Sequence, residues 1–266
     1  MIHICFNLDE NYVMPCKVLM RQLDALTSDK ITYHLIGITQ RDMGTKYQCK
    51  FYPKPDLSYF TDDNLGSYYY FTQAAMYRLL IPFLVETDRA IYMDIDTLVL
   101  KDIKKLWDKD IDYAGAVIDP CCLYHKKRLK VKDYYNSGII LFDSKKIREN
   151  MPDYKERILK AQRDYVLDLK DQDIFNIVFK DHITTLGYEY NIDVHNLIEP
   201  DDSKKTITAK NKAFKNPSIV HCMGKEKWWN YDGLAFGDYW DKYAGADVPK
   251  NRKTCLMING ILVVRN

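Results

Sequence analysis

At 266 residues, the chain is long enough for one large domain with a substantial core. Its 47% hydrophobic and 29% charged residues exclude an extended disordered protein, and a formal net charge of +2 excludes a generally basic nucleic-acid binder. Cysteines at 5, 16, 49, 121, 122, 222 and 255 form no C-x-x-C pair and include one adjacent pair, so a reducing, cytoplasmic setting is expected.

The opening Met1-Ile2-His3-Ile4-Cys5-Phe6 reads as a strand rather than a leader, and no apolar stretch reaches membrane-spanning length. Apolar runs then alternate with longer amphipathic segments, the pattern of an α/β sheet protein. Strands are expected at 2–7, 31–38, 90–94, 112–118, 137–142 and 218–222, and helices at 15–26, 72–85, 152–169 and 172–180. In the third helix Tyr154, Ile158, Ala161, Tyr165 and Leu169 follow a 3.6-residue period. Residues 247–266 read as a separate tail, basic and then apolar: an added strand, a membrane-surface contact or an expression remnant. The 21 tyrosines suit surfaces for sugars and bases, or reflect genomic base composition.

Strand 90–94 is apolar throughout and runs directly into Asp94-Ile95-Asp96. Ligands of open α/β sheets bind beyond the carboxyl ends of strands. Two residues apart in extended backbone, Asp94 and Asp96 point the same way and repel unless a cation lies between them. Oxygen ligands suit Mg²⁺ or Mn²⁺ and a phosphate-bearing substrate. Two alternatives use the same letters. In one, the aspartates cap a helix near 103–106 in a surface turn. Phosphatases of the haloacid dehalogenase type carry D-x-D-x-T/V after their first strand, but here the fifth position is Leu98 and about ninety residues precede the motif.

Five more segments accompany this pair. Asp9, Asn11 and Tyr12 follow the first strand; Tyr77-Arg78-Leu79 lies on the helix before the D-x-D strand. Asn136-Ser137-Gly138 starts an apolar strand, Asp171-Gln172-Asp173 opens a helix, and His221, Gly224 and Lys227 follow the last strand. In this order, over residues 2–230, they resemble glycosyltransferase family 8, which includes bacterial lipopolysaccharide galactosyl- and glucosyltransferases, glycogenins and galactinol synthases.

The resemblance implies a GT-A type fold with a Rossmann-like mixed sheet flanked by helices, spanning residues 1–246. It implies a cytoplasmic retaining hexosyltransferase acting from a UDP-hexose on a glycan or glycolipid hydroxyl, with peripheral contact at the inner face of the membrane as an option. Asp9, Asn11 and Tyr12 would line the uracil and ribose pocket. Asp94, Asp96 and His221 would hold Mn²⁺, with Mg²⁺ as the alternative. Gly224 and Lys227 would meet the phosphates; Arg78, Asp119, Asn136 and Asp171 would contact the donor sugar, with Ile95 and Ser137 also in the donor site. Gln172 would lie beside the reacting carbon, making Gln172 and Asp171 the catalytic pair. Asn7 and Leu8 depart from the small residues of many relatives, and Trp228 stands where a proline is frequent. Self-glucosylation of a tyrosine and noncatalytic sugar-nucleotide binding remain alternatives.

Each residue also has a plainer reading. His221 suits a hydrogen-bonded core position, Asn136 a strand start, Arg78 a helix-surface ion pair, and Asp171 a helix cap. Trp228 and Trp229 suit anchors for a closing helix. The basic run 125–132 reads as a solvated loop, with a lid or an anionic-lipid contact as alternatives.

Overall fold

The computed structural model describes residues 1–43, 49–60, 73–258 and 261–265. The chain opens with β1 (Ile2–Asn7), a 3₁₀ turn at Glu10–Tyr12, α1 (Val13–Leu26), β2 (Ile31–Ile36) and β3 (Cys49–Tyr52). Then come β4 (Arg89–Met93), β5 (Thr97–Val99), β6 (Ala114–Ile118), α2 (Cys122–Leu129), β7 (Tyr135–Asp143), α3 (Tyr154–Asp164) and α4 (Lys170–Val178). Later elements include β8 (Ile183–Thr185), β9 (Ile192–Asp193), α5 (Lys204–Lys215), β10 (Ile219–His221), β11 (Tyr231–Asp232), α6 (Gly237–Ala244), β12 (Lys253–Ile258) and β13 (Ile261–Arg265).

The main sheet runs β3-β2-β1-β4-β7-β6-β8. Strands β1 to β4 are mutually parallel where they pair, and β7 is antiparallel to both β4 and β6. The chain leaves β1 toward β2 and β3, then returns to place β4 on the opposite side. That reversal is a topological switch point, the place where strand order opens a crevice at the carboxyl ends. The segments following β1 and β4, Asn7–Tyr12 and Asp94–Asp96, therefore meet there.

Both faces of the sheet are covered. On one, Cys16, Leu19, Met20 and Leu23 of α1 pack on Ile4, Phe6, Ile91 and Met93. Their helical spacing gives one apolar stripe, and each large side chain fully buried contributes about 1.5–3 kcal/mol. On the other, α3, α4 and residues 76–85 cover Cys5, Tyr92, Ile140 and Phe142. A third cluster behind α1 holds Val18, Leu98, Val220, Trp228, Trp240 and Cys255. Two three-stranded sheets, β5-β10-β9 and β11-β12-β13, complete the fold. No helix among the described residues is long and apolar enough to cross a membrane.

Several expected elements differ. Thr72, the expected start of one helix, lies outside the described residues; residues 73–84 form short α-helical pieces, Gln73–Met76 and Ile81–Leu84, around a 3₁₀ turn at Tyr77–Leu80. Pro82 has no N–H for the carbonyl one helical turn back, so a continuous helix cannot form. The helix expected to reach 169 stops at Asp164, and Tyr165 is extended. Asp173 explains the break, because one carboxylate oxygen accepts from the backbone N–H groups of Asp168 at 2.7 Å and Leu169 at 3.1 Å. The basic run 125–132 is not a loop: most of it lies in α2, with His125 and Leu129 turned inward.

Candidate functional site

Asp94 and Asp96 lie in a turn between β4 and β5 rather than at an extended strand end. The Asp94 N–H donates to Gly138 O at 2.7 Å, and Thr97 Oγ1 donates to Asp94 O at 2.7 Å, which closes the turn. Neither aspartate caps the helix near 103–106; Ile103 holds the cap position without a side-chain bond, and Asp102 Oδ1 accepts from Lys104 N at 2.8 Å. Strand β10 pairs antiparallel with β5 and brings His221 opposite Thr97. His221 Nε2 then stands 3.2 Å from Asp96 Oδ1 and 3.6 Å from Asp94 Oδ2. One ligand atom from each of the three residues lies within 4.8 Å of the others.

Two oxygens and one imidazole nitrogen in this arrangement fit a divalent cation such as Mn²⁺ or Mg²⁺. Asn191, to which the sequence alone assigns no role, orients the histidine. Its Nδ2 donates to Asn136 Oδ1 at 2.8 Å, so its Oδ1 is left to accept from His221 Nδ1 at 3.0 Å. With Nδ1 carrying that proton, Nε2 presents its lone pair toward the carboxylates, the usual way a ligating histidine is oriented. Asn191 carries no sequence signal beyond being polar between two apolar neighbours. Gly138 is also required here, because a Cβ on it would overlap the His221 ring and sit 2.9 Å from Asp94 Oδ2.

Protein cations hold these acids in the free molecule. Lys227 Nζ pairs with Asp96 and donates to Cys222 O at 2.5 Å. Burial alone would raise Asp96, but Lys227 and His221 hold its carboxyl well below the usual range. Burial likewise lowers His221, yet Asp96 and Asp94 outweigh it and leave the imidazole above its ordinary value. Arg78, 7% exposed in its 3₁₀ turn, pairs with Asp94 and with Asp171, each at 3.1 Å, and donates to Ser137 O at 2.9 Å. It stacks 4.7 Å above the Tyr92 ring, whose hydroxyl donates to Asp94. This is a buried network, not a helix-surface pair.

A cavity of about 780 Å³ opens above these groups. Its wall includes Asp9, Tyr12, Arg78, Asp94, Ile95, Asp96, Asp119, Asn136, Ser137, Asp171, Gln172, His221, Gly224 and Lys227. Asn11 is the exception: it is exposed and not part of the wall, and its backbone N–H is used by Asp9 Oδ1 at 2.9 Å. Trp228 is wholly buried and donates to Ala235 O at 3.0 Å, while Trp229 reaches the cavity edge-on to Tyr12, with ring centroids 5.8 Å apart.

Of the run Asp171-Gln172-Asp173, helix α4 turns the first two into the cavity. Gln172 Oε1 accepts from Ser137 N at 3.0 Å, and its Nε2 donates to Asp119 Oδ2 at 3.0 Å and Tyr134 Oη at 3.2 Å. Asp171 is not the helix cap; Leu169 holds that position without a side-chain bond, and Asp171 binds Arg78 and Ser137 instead. Asp173 points away, toward Arg128 and Tyr134.

A mixed sheet with an acidic crevice at its switch point defines an α/β protein with a candidate metal centre. Residues 3–233 match the profile of Glycosyl transferase family 8, and the chain belongs to that family. That membership sets aside the dehalogenase-type phosphatase. Among its relatives, General stress protein A of Bacillus subtilis (strain 168) is 34% identical over 173 residues, 60% of each chain. Glycosyltransferase GlyF of Streptococcus pneumoniae serotype 4 is 29% identical over 177 residues, 62% of this chain and 43% of that one. The alignment thus spans less than two thirds of either relative. The solved structure of the galactosyltransferase LgtC with donor and acceptor sugar analogues superposes with a TM-score of 0.77 at 22% identity, covering 94% of this chain and 98% of that one. This likeness shows the GT-A type fold.

Proposed function

We propose that the protein moves a hexose, galactose or glucose, from a UDP-sugar to a hydroxyl of a glycan or glycolipid, with retention at the anomeric carbon, on the cytoplasmic side of a membrane. The observation that carries this reading is the convergence of Asp94, Asp96 and His221 on one point at the floor of the cavity. They would hold Mn²⁺, with Mg²⁺ as the alternative. When bound, such an ion supplies positive charge to the diphosphate as it gains negative charge.

The chain's own groups do the rest. Tyr12 and Asp9 form the base end of the cavity. Lys227, paired with Asp96 in the free molecule, would offer its ammonium to the phosphates, and Gly224, with a φ of 91°, would let backbone approach them. Arg78, Asp119, Asn136 and Asp171 fix the sugar. Asp171 stabilises positive charge developing on the ring. Gln172 is a poor nucleophile, and both ends of its amide are engaged. Retention therefore proceeds on one face: the bond from the anomeric carbon to the phosphate oxygen breaks, the acceptor oxygen bonds to the same face, and the acceptor proton passes to the departing diphosphate.

UDP release from UDP-galactose and UDP-glucose with Mn²⁺ tests this directly. Release should stop with EDTA, fall at least a hundredfold in Asp96→Asn, and persist in part in Gln172→Ala. Release unaffected by EDTA, or a covalent sugar adduct on Gln172 or Asp171 in the mass spectrum, would contradict the account.

A further inference from the structure

Tyr134 stands one step behind the cavity wall. It is wholly buried, its ring stacks on His125 with centroids 4.6 Å apart, and its hydroxyl accepts from Gln172 Nε2 at 3.2 Å. The cavity lining includes Gln172, Asp119 and Ser137 but not Tyr134. The two protons on Gln172 Nε2 therefore go to one group that a bound sugar can reach, Asp119 Oδ2 at 3.0 Å, and to one that it cannot.

Charge fixes the direction of the inner contact. Asp173, also wholly buried, takes Arg128 Nη2 at 2.7 Å on each oxygen and two backbone N–H groups besides. A carboxylate so ringed by donors only accepts, and Tyr134 Oη donates to it at 2.7 Å. With its single proton committed there, the hydroxyl meets Gln172 purely as an acceptor. Burial first, and Asp173 next, push this hydroxyl far above the ordinary tyrosine range, so it keeps that proton.

An amide turned end for end would set Oε1 against Asp119 Oδ2 and Tyr134 Oη, where no proton is on offer. It would also set Nε2 against the N–H of Ser137, which now donates to Oε1 at 3.0 Å. Both changes leave buried polar groups unmet, which is destabilising. The observed orientation keeps Oε1 beside Ser137, whose hydroxyl donates to Asp171 at 3.2 Å. The partial negative charge of the amide oxygen thus lies on the side of the Asp171 carboxylate.

We infer that Tyr134 is a positioning residue: aligned by Asp173 and Arg128, its hydroxyl holds the Gln172 amide in this orientation while Asp119 engages the donor sugar. Oε1 then joins Asp171 in stabilising positive charge on the ring. This rests on the reading of Gln172 as the residue beside the reacting carbon, and gives a role to a side chain that touches no substrate.

The test is a double-mutant cycle on UDP release with Mn²⁺, read as kcat and KM in wild type, Tyr134→Phe, Gln172→Ala and the double variant. Phenylalanine keeps the ring against His125, and assays run well below each protein's unfolding midpoint separate lost rate from lost fold. Tyr134→Phe should lower kcat about tenfold and leave KM within about twofold of wild type. In the Gln172→Ala background the same substitution should change kcat by less than about twofold, because no amide remains to be held. A loss of equal size in both backgrounds, no loss in either, or a raised KM with kcat unchanged would each overturn the inference. A wild-type chain that released no UDP would instead sink the proposed function, and this inference with it.

Discussion

Asp171 and Asp173 sit two residues apart on α4 in opposite surroundings. Asp173 takes hydrogen bonds from Arg128, Tyr134 and two backbone N–H groups. Asp171 has Arg78 and Ser137 on one oxygen, and its Oδ1 has no partner among the described residues. Burial pushes the Asp171 carboxyl up to about 6; Arg78 pulls it down, and Asp94 adds to the rise. Because the folded value lies above the unfolded one, the native chain binds the extra proton between them, and stability falls as pH rises through about 6. Between about pH 4 and pH 7.5 the loss should reach roughly 2–3 kcal/mol, and Asp171→Asn should lack it. Denaturant unfolding of both proteins across that range checks this. Parallel curves would show that the carboxyl is not strained by burial.

At the scale of elements, the cavity depends on pieces that lie far away in sequence. Arg252, just before β12, donates to Trp228 O at 3.0 Å and pairs with Asp241 of α6 at 2.7 and 2.8 Å. Trp228 follows Lys227 directly, so the segment after β11 braces the end of the cavity that we propose meets the phosphates. Arg252→Ala should cost about 1–2 kcal/mol of stability and weaken nucleotide binding several-fold, measured by unfolding and calorimetry. A stable variant with unaltered binding would show that the brace is unnecessary.

The long apolar strands β1, β4 and β7 were legible because burial on both faces leaves continuous apolar runs. Strands β5, β9 and β11, of two or three residues, carry no such period. The early end of α3 was hidden because Tyr165 keeps the helical spacing while Asp173, eight residues on, captures the backbone that would have continued it. In the site, the Asp94–Asp96 pair was readable from its spacing, while His221 was named through the family resemblance. The roles of Asn191 and Tyr134 were not readable, since what distinguishes them is a single hydrogen bond, to His221 and to Gln172, and neither leaves a mark in spacing.

For the whole molecule, the topology places the chemistry. The chain reverses at β1 and β4, and the acids after those strands face each other across the crevice opened there. Strand β10, more than two hundred residues after β1, closes it with His221. Family membership and fold agree with that placement, and the remaining question is whether a cation occupies the point where the three side chains meet. Crystals grown with UDP and Mn²⁺, measured at a wavelength where manganese scatters anomalously, answer it. The account predicts one anomalous peak bounded by Asp94, Asp96 and His221, with the diphosphate completing the shell. Bound UDP with no peak there, or with manganese held elsewhere, would contradict it.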